Sequence, residues 1–381
     1  MAGTSERMAG LPPRLQPAAV VGKAPRAAGW HVGLLALLLL VALPLLLDPF
    51  RLGLVGKYLC FAFAAIGIVL IWGHAGILSL GQGMFFGIGS YALAMFLKLE
   101  AALTVGSANA LSQFYGSSLP DFMVWNSVET LPWWWLPFGH LGFALAMVVV
   151  LPALVAFVVA YANFRKRVGS VYFSIVTLAL AAIMAIVIVG QQGVTGGING
   201  ITDFRTFAGL PLDGPGPRRV LYFVNVGLLL TCLMVARWIV GSRLGRVLVA
   251  IRDREDRVRF SGYDSALFKA FIFAVAAVIT AIGGALFTLQ EGMASPSLVG
   301  IVPSVEMVIY AAVGGRLSPI GAVYGTLLVL AAKTFFSESF VEYWQYFIGA
   351  LFIGVVMFLP AGLAGVVDSL ERRWRRPGVR A

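Results

Sequence analysis

Apolar residues arrive along this chain in long unbroken blocks, and polar residues are confined to the gaps between them. An amphipathic soluble helix shows a one-sided apolar stripe instead. The blocks approach the twenty or so residues that an α-helix needs to cross a bilayer. They predict an all-α, polytopic membrane protein with about eight to ten spans, near 31–48, 52–72, 76–97, 140–163, 168–190, 220–240, 268–290, 299–315, 318–334 and 345–365. The third, eighth and ninth are rich in glycine or interrupted by polar residues, so broken or re-entrant helices are expected there. A polar, Pro/Ala-rich leader (1–29) precedes a membrane domain (30–366), and a basic tail (367–381) follows it. The block from His31 to Leu47 runs into Asp48-Pro49-Phe50-Arg51 and a second block without a small-residue cleavage site, which reads as an uncleaved first span.

Composition agrees with the pattern. Only 12% of the 381 residues are charged, against about a quarter in a typical soluble domain. The net charge of +11 raises nucleic acid as a partner, but its distribution argues against that. Arginine and lysine gather in the leader, at Arg165-Lys166-Arg167, in the 241–269 loop, at Arg316 and in the tail. These positions share one side if both termini are cytoplasmic, which is the positive-inside pattern. The opposite side takes 98–139 and 191–219, of which the latter, with Arg205, Arg218 and Arg219, fits least well. Trp133-Trp134-Trp135 before the fourth span reads as an interfacial aromatic belt, with a ligand platform as the sharper alternative. Cys60 and Cys232 sit inside apolar blocks with no metal-ligand spacing and read as small buried hydrophobes. No cofactor or metal is expected.

Three glycine-rich stretches carry most of the information. The first runs from Gly73 through Gly76, Ser79, Gly81, Gln82 and Gly83 and continues through Phe85, Phe86, Gly87, Gly89 and Tyr91. It reads as an unwound turn lining a solute path or as small-residue packing between helices. The second, Gly190 to Phe204, includes Thr195 and Asn199 and offers neutral hydrogen-bonding groups to a polar solute, or is a plain loop. The third, Gly314-Gly315-Arg316 to Gly325, faintly repeats the first. Ser79, Gln82, Thr195, Asn199 and Glu306 are the candidate solute-path residues. Among the few ionisable residues within spans (His74, Arg237, Glu306, Lys333), Glu306 is the deepest, and serves either a solute or a neighbouring helix.

The loop after the sixth span, 241–268, alternates charges on a helix-forming stretch and ends at Gly262, a helix stop. It reads as a docking helix for another protein or as a solvated positive loop. The chain has no G-x-x-x-x-G-K-[ST] phosphate loop and no H-E-x-x-H or G-x-S-x-G motif, so neither an ATPase site nor a recognisable enzyme is expected.

Four motifs in order, Gly73-x-x-Gly76-x-x-Ser79-Leu80-Gly81, Thr195-Gly196-Gly197-x-x-Gly200, Gly245-Arg246-x-x-x-Ala250-Ile251-Arg252 and Gly314-Gly315-Arg316, resemble the permeases of branched-chain amino acid-type ABC importers over residues 52–365. The long outer loop, Thr202-Asp203-Phe204 and Arg257-x-Arg259-Phe260-x-Gly262-Tyr263 are most similar to the urea branch. Gln82, where that family commonly has histidine, and Leu317-Ser318-Pro319 depart from the pattern. The resemblance implies an inner-membrane subunit working with a second permease, two ATPase subunits and a periplasmic binding protein. Urea or a short amide is the first-choice solute, and branched-chain amino acids are the alternative. A self-sufficient channel or secondary carrier is the rival from another class. The resemblance also places a coupling helix at about Ala250 to Gly262, with Arg252, Asp253, Glu255, Asp256 and Gly262 as its candidate residues. Glu255 and Asp256 face an ATPase in this reading, and Arg252 and Arg254 are alternatives for anionic headgroups.

Overall fold

A computed structural model describes residues 29–104 and 119–340, apart from Arg205 and Asp213, together with scattered positions between 343 and 366. The leader up to residue 28, the tail and most of the tenth predicted span lie outside the described residues.

The architecture is all-α and polytopic. Ten helices carry it: α1 (Trp30–Leu46), α2 (Pro49–His74), α3 (Gln82–Thr104), α4 (Leu141–Arg165), α5 (Ser170–Gly190), α6 (Pro215–Gly241), α7 (Arg243–Phe260), α8 (Ser265–Glu291), α9 (Ile301–Gly314) and α10 (Pro319–Ser339). All but α1, α7 and α9 are long and apolar enough to cross a membrane. The centre is α8, which packs on α2, α3 and α4. Glycines let these axes close up: a side chain at Gly284 would strike the backbone of Phe86, and one at Gly89 the backbone of Ala281. The packing reading of the first glycine stretch thus holds along α3. By contrast, α4 and α5 are apolar all round and largely uncovered. Leu154 and Val158 on one, Ile183 and Ile186 on the other, lie more than half exposed and require lipid or another apolar surface.

Of the three spans expected to be broken or re-entrant, the third and eighth differ in kind from the rest, whereas the ninth, α10, is one continuous helix with its small residues packed inside it. The third begins at Gln82 rather than 76, because residues 76–81 are unwound, and it runs on to Thr104. The eighth, α9, has 14 residues. At 1.5 Å per residue it covers about 21 Å, short of a hydrocarbon core of about 30 Å. It is a half-span. The chain leaves the end of α8, pairs Met293–Ala294 antiparallel with Ile201–Thr202, then turns inward so that Val299 lies against Gly87 before α9 starts.

One face of the bundle gathers the basic segments. Arg165 and Arg167 share a cavity with Arg259 of α7, and the α7 residue Arg252 meets Gly73, which lies against the Arg316 carbonyl. The opposite face is capped by Asp121–Trp125 and the short strands. There, Lys98, 5% exposed, donates to Asp121 and to the Thr202 carbonyl. Trp133 is exposed, as an interfacial aromatic should be, but Trp135 is fully buried against Phe122. The three tryptophans are therefore no uniform belt, since Trp135 belongs to the core of this cap.

Candidate functional site

An unwound segment inside a bundle must place its peptide groups on side chains, since lipid offers none. Residues 76–81 do this against α5. Ser170 Oγ donates to the Gly76 carbonyl at 3.0 Å, Ser174 Oγ to the Leu78 carbonyl at 2.6 Å, and the Leu80 N–H donates to Thr177 Oγ1 at 3.2 Å. Ser170, Ser174 and Thr177 follow i, i+4, i+7 spacing and so share one helical face. That hydroxyl stripe was visible in the sequence of the fifth span and carries a role that the glycine-centred reading missed. Gly76 has φ +71°, a left-handed conformation that a side chain disfavours, and here it turns the chain off α2.

The segment joins two depths. At its lower end, Gly76 lies against the side chain of Arg252. At its upper end, Gln82 Oε1 accepts from Thr280 Oγ1 at 3.1 Å. About 22 Å of helix separates Thr280 from Ser265 at the start of α8, so α3 begins well inside the bundle. The Gly83 N–H donates to Ser304 Oγ on the first turn of α9 at 3.0 Å. Two helix N-termini, those of α3 and α9, thus meet at depth. Their positive ends favour negative charge. Gln82 is fully buried, and its Nε2 has no partner among the described residues. Ser79, also fully buried, accepts weakly from the Gly81 N–H at 3.4 Å.

The remaining solute-path candidates lie elsewhere. Thr195 spends its hydroxyl on the carbonyls of Ile188 and Gln191, closing the end of α5, and Asn199 is exposed on the capped face. Glu306 on α9 is held by Lys333 of α10 at 2.8 Å and 2.9 Å and accepts from Tyr310 Oη. Of the two readings of Glu306, the helix-to-helix tie has its partner in place. Ser79 and Gln82 are thus brought together, while Thr195, Asn199 and Glu306 are not brought to them.

Helix α7 starts earlier than expected and bends. Its backbone leaves helical geometry at Arg254 (φ −152°, ψ 79°), so an anchored part precedes a short outer part. Gly245, Leu248 and Ile251 bury the first against the bundle. The expected stop is present: the helix ends at Phe260 and Gly262 takes φ +84°. Arg252 points inward, with Nη1 donating to the Gly73 carbonyl at 2.6 Å and Nε to Asp253 at 3.0 Å. It ties α7 to the end of α2, so the headgroup alternative for this residue does not fit. Glu255 is also committed within the chain. It accepts from Lys269 at 2.6 Å, Arg259 at 2.7 Å and Ser265 at 2.8 Å. Partial burial alone would raise its carboxyl, but Lys269, Ser265 and Arg259 outweigh burial and hold it below the ordinary value. The side chains left outward on the outer part are those of Arg254, Asp256, Arg257 and Phe260, the last 92% exposed.

The profile described as "Branched-chain amino acid transport system / permease component" matches residues 50–356. The permease protein LivM of the high-affinity branched-chain amino acid transport system of Escherichia coli is 25% identical over 354 residues, covering 87% of this chain and 74% of the relative. BraD, the corresponding permease protein of Pseudomonas aeruginosa, is 23% identical over 308 residues, covering 80% of this chain and 91% of the relative. No solved structure matches the chain. These relatives lend no support to the urea branch. With the match spanning most of the membrane domain and the motif-bearing segments lying within it, the chain belongs to the family of permease components of branched-chain amino acid transport systems.

Proposed function

We propose that this chain is the membrane-spanning subunit of an ABC importer for branched-chain amino acids, rather than for urea or a short amide. The observation that carries the reading is the tie from Arg252 on α7 to the Gly73 carbonyl, at the foot of the unwound segment leading to α3. A helix pushed by a partner on the basic face would move the N-terminus of α3 at depth. A passive channel or secondary carrier has no use for such a lever. The paired N-termini of α3 and α9 suit the carboxylate of a zwitterion better than they suit neutral urea. Gln82 and Ser79 stand beside them, with Thr195, Asn199 and Glu306 as supporting or outer positions.

In this reading the basic face is cytoplasmic, with both termini on that side. Asp256 and Phe260 meet one of two ATPase subunits, while Glu255, Arg252, Asp253 and Gly262 shape the helix that presents them. The exposed apolar faces of α4 and α5 meet lipid and a second permease, and a periplasmic binding protein docks on the capped face. The test is uptake by vesicles holding the chain together with the ATPase, permease and binding-protein subunits encoded beside it. ATP-driven leucine accumulation is expected, with urea passing no faster than in empty vesicles. Urea accumulation without leucine uptake overturns the substrate, and solute flux without ATP overturns the coupling.

A further inference from the structure

A cavity of about 210 Å³ opens on the basic face where α4 ends and α8 begins, lined by Arg165, Arg167, Arg259, Tyr263, Asp264 and Ser265. That is roughly seven times the volume of a liquid water molecule. We propose that this cavity binds the phosphodiester headgroup of an anionic phospholipid. It rests on the membrane-spanning reading alone and not on the solute.

Charge comes first. Arg259 and Lys269 already share Glu255, and Asp264 accepts from the Ala266 and Leu267 N–H groups at the start of α8. Those carboxylates are spoken for. Arg165 meets Tyr161 alone, through its hydroxyl at 2.7 Å and the face of its ring, and the Arg167 guanidinium has no partner among the described residues. Three arginines thus line the cavity against one carboxylate, Asp264, and neither Arg165 nor Arg167 has an ion-pair partner among the described residues, which leaves the cavity net positive.

Backbone geometry points the same way. Helix α4 ends in a Schellman turn, with Val168 N–H on the Asn163 carbonyl at 3.2 Å and Arg167 N–H on the Phe164 carbonyl at 3.0 Å. The left-handed position of this turn usually takes glycine, yet Arg167 occupies it at φ +58°. A bulky cation held in this strained conformation within the lining of a basic cavity motivates a functional role for the site.

A lipid, rather than free phosphate, follows from what lies beside the cavity. Tyr263 lines the cavity and is half exposed, and on α8 just beyond it Leu267 and Phe271, four residues apart on one helical face, are each about half exposed. An acyl chain can follow it, and inorganic phosphate gains nothing there.

The test uses the full chain, solubilised with any subunits that stay attached, and reads lipid retention by native mass spectrometry and melting by thermal shift. Wild type is expected to retain phosphatidylglycerol over phosphatidylcholine. Arg167→Gly puts the favoured residue into the turn, so it should fold at least as well, yet bind phosphatidylglycerol about fivefold more weakly. Arg246→Ala, an exposed cation of the same face outside the cavity, should bind as wild type does. Unchanged binding by Arg167→Gly, or an equal loss in Arg246→Ala, overturns the site. Equal stabilisation by inorganic phosphate overturns the lipid. Loss of attached subunits from Arg167→Gly without added anionic lipid assigns the cavity to a protein partner and overturns the proposal.

Discussion

Replacing Arg252 by alanine tests whether α7 drives the interior through the Gly73 carbonyl. The substitution removes the 2.6 Å bond from Nη1 and the 3.0 Å bond from Nε to Asp253. A hydrogen bond from a charged donor contributes about 1.5–3 kcal/mol. At about 1.4 kcal/mol per factor of ten, losing the bond to Gly73 at the moment of transmission slows transport roughly tenfold to a hundredfold. Basal ATP hydrolysis should stay near the wild-type rate, because the outward surface of α7 is untouched. The assay is leucine uptake and solute-stimulated ATP hydrolysis in the same vesicles, with the transported-to-hydrolysed ratio as the readout. A second substitution separates transmission from damage. A side chain at Gly76 would sit 2.7 Å from Arg252 Cγ, and φ there is +71°. Gly76→Ala therefore suffers both backbone strain, about 1–2 kcal/mol, and a clash with Arg252. Combined with Arg252→Ala, which has no Cγ, the strain and a milder 3.3 Å approach to the remaining Cβ are left, so the double variant should be less impaired than the two effects added together. Unchanged ratios in Arg252→Ala, or strict additivity in the double variant, refute the linkage.

Four further outcomes follow from the geometry. Glu255→Gln should lower thermal stability at neutral pH, because Lys269 keeps a partly buried ammonium without its carboxylate; the Glu255 carboxyl lies below its ordinary value of 4.5, so the ion pair's contribution is full above that value and is lost as pH falls through the lowered one. Melting of wild type and variant should therefore converge only in acid well below pH 4.5. Ser174→Ala strands the Leu78 carbonyl, and Thr177→Val strands the Leu80 N–H; each should cost about 1–3 kcal/mol and speed hydrogen exchange over residues 77–81 while α8 stays protected. Lys333→Met should destabilise more than the double variant Lys333→Met with Glu306→Gln, as an unpaired carboxylate in the bundle costs more than no pair; equal melting temperatures would argue that Glu306 is solvated. Phe260→Ala leaves the fold alone and should weaken ATPase attachment, read by co-purification.

The spans were legible because lipid demands long apolar blocks, and six of the long helices begin and end within about five residues of the hydropathy reading. The half-span α9 was anticipated only as a broken or re-entrant helix at the eighth span, since hydropathy reports apolarity and not depth. Only the contacts of Val299 with Gly87 and of Ser304 with Gly83 show that it starts inside the bundle. The first glycine stretch was ambiguous for a similar reason. Glycine serves a tight crossing and an unwound turn equally well, and here it does both: Gly89 closes α3 onto α8, whereas Gly76 breaks the chain off α2. The deciding signal lay in another span, where Ser170, Ser174 and Thr177 line up on one face to receive unpaired peptide groups. Charge misled in the opposite direction. The resemblance turned Glu255 toward an ATPase and offered Arg252 to headgroups, but an alternating charge pattern does not say which charges are consumed internally by Lys269, Arg259 and the Gly73 carbonyl.

Solute choice follows from the same distinction between a charge and its neutralisation. Near-absence of free charge in the spans favoured a neutral solute, because a buried ion needs a partner. The one membrane-embedded carboxylate on α9 is already balanced by Lys333, so it offers a zwitterion no counter-ion. Fixed dipoles do what side chains here cannot. The N-termini of α3 and α9 converge inside the bundle, where dipoles are screened less than at its surface, and Gln82 brings an amide donor that has no acceptor among the described residues. A carboxylate needs donors, whereas urea carries more donors than acceptors and would leave them facing positive helix ends. Exchanging Gln82 for glutamate turns that argument into a measurement. A fixed carboxylate beside the two N-termini competes with the carboxylate of the solute, so Gln82→Glu should abolish leucine uptake while Gln82→Asn retains part of it. If glutamate is tolerated there, the solute's carboxylate binds elsewhere, and the convergence of α3 and α9 is packing alone.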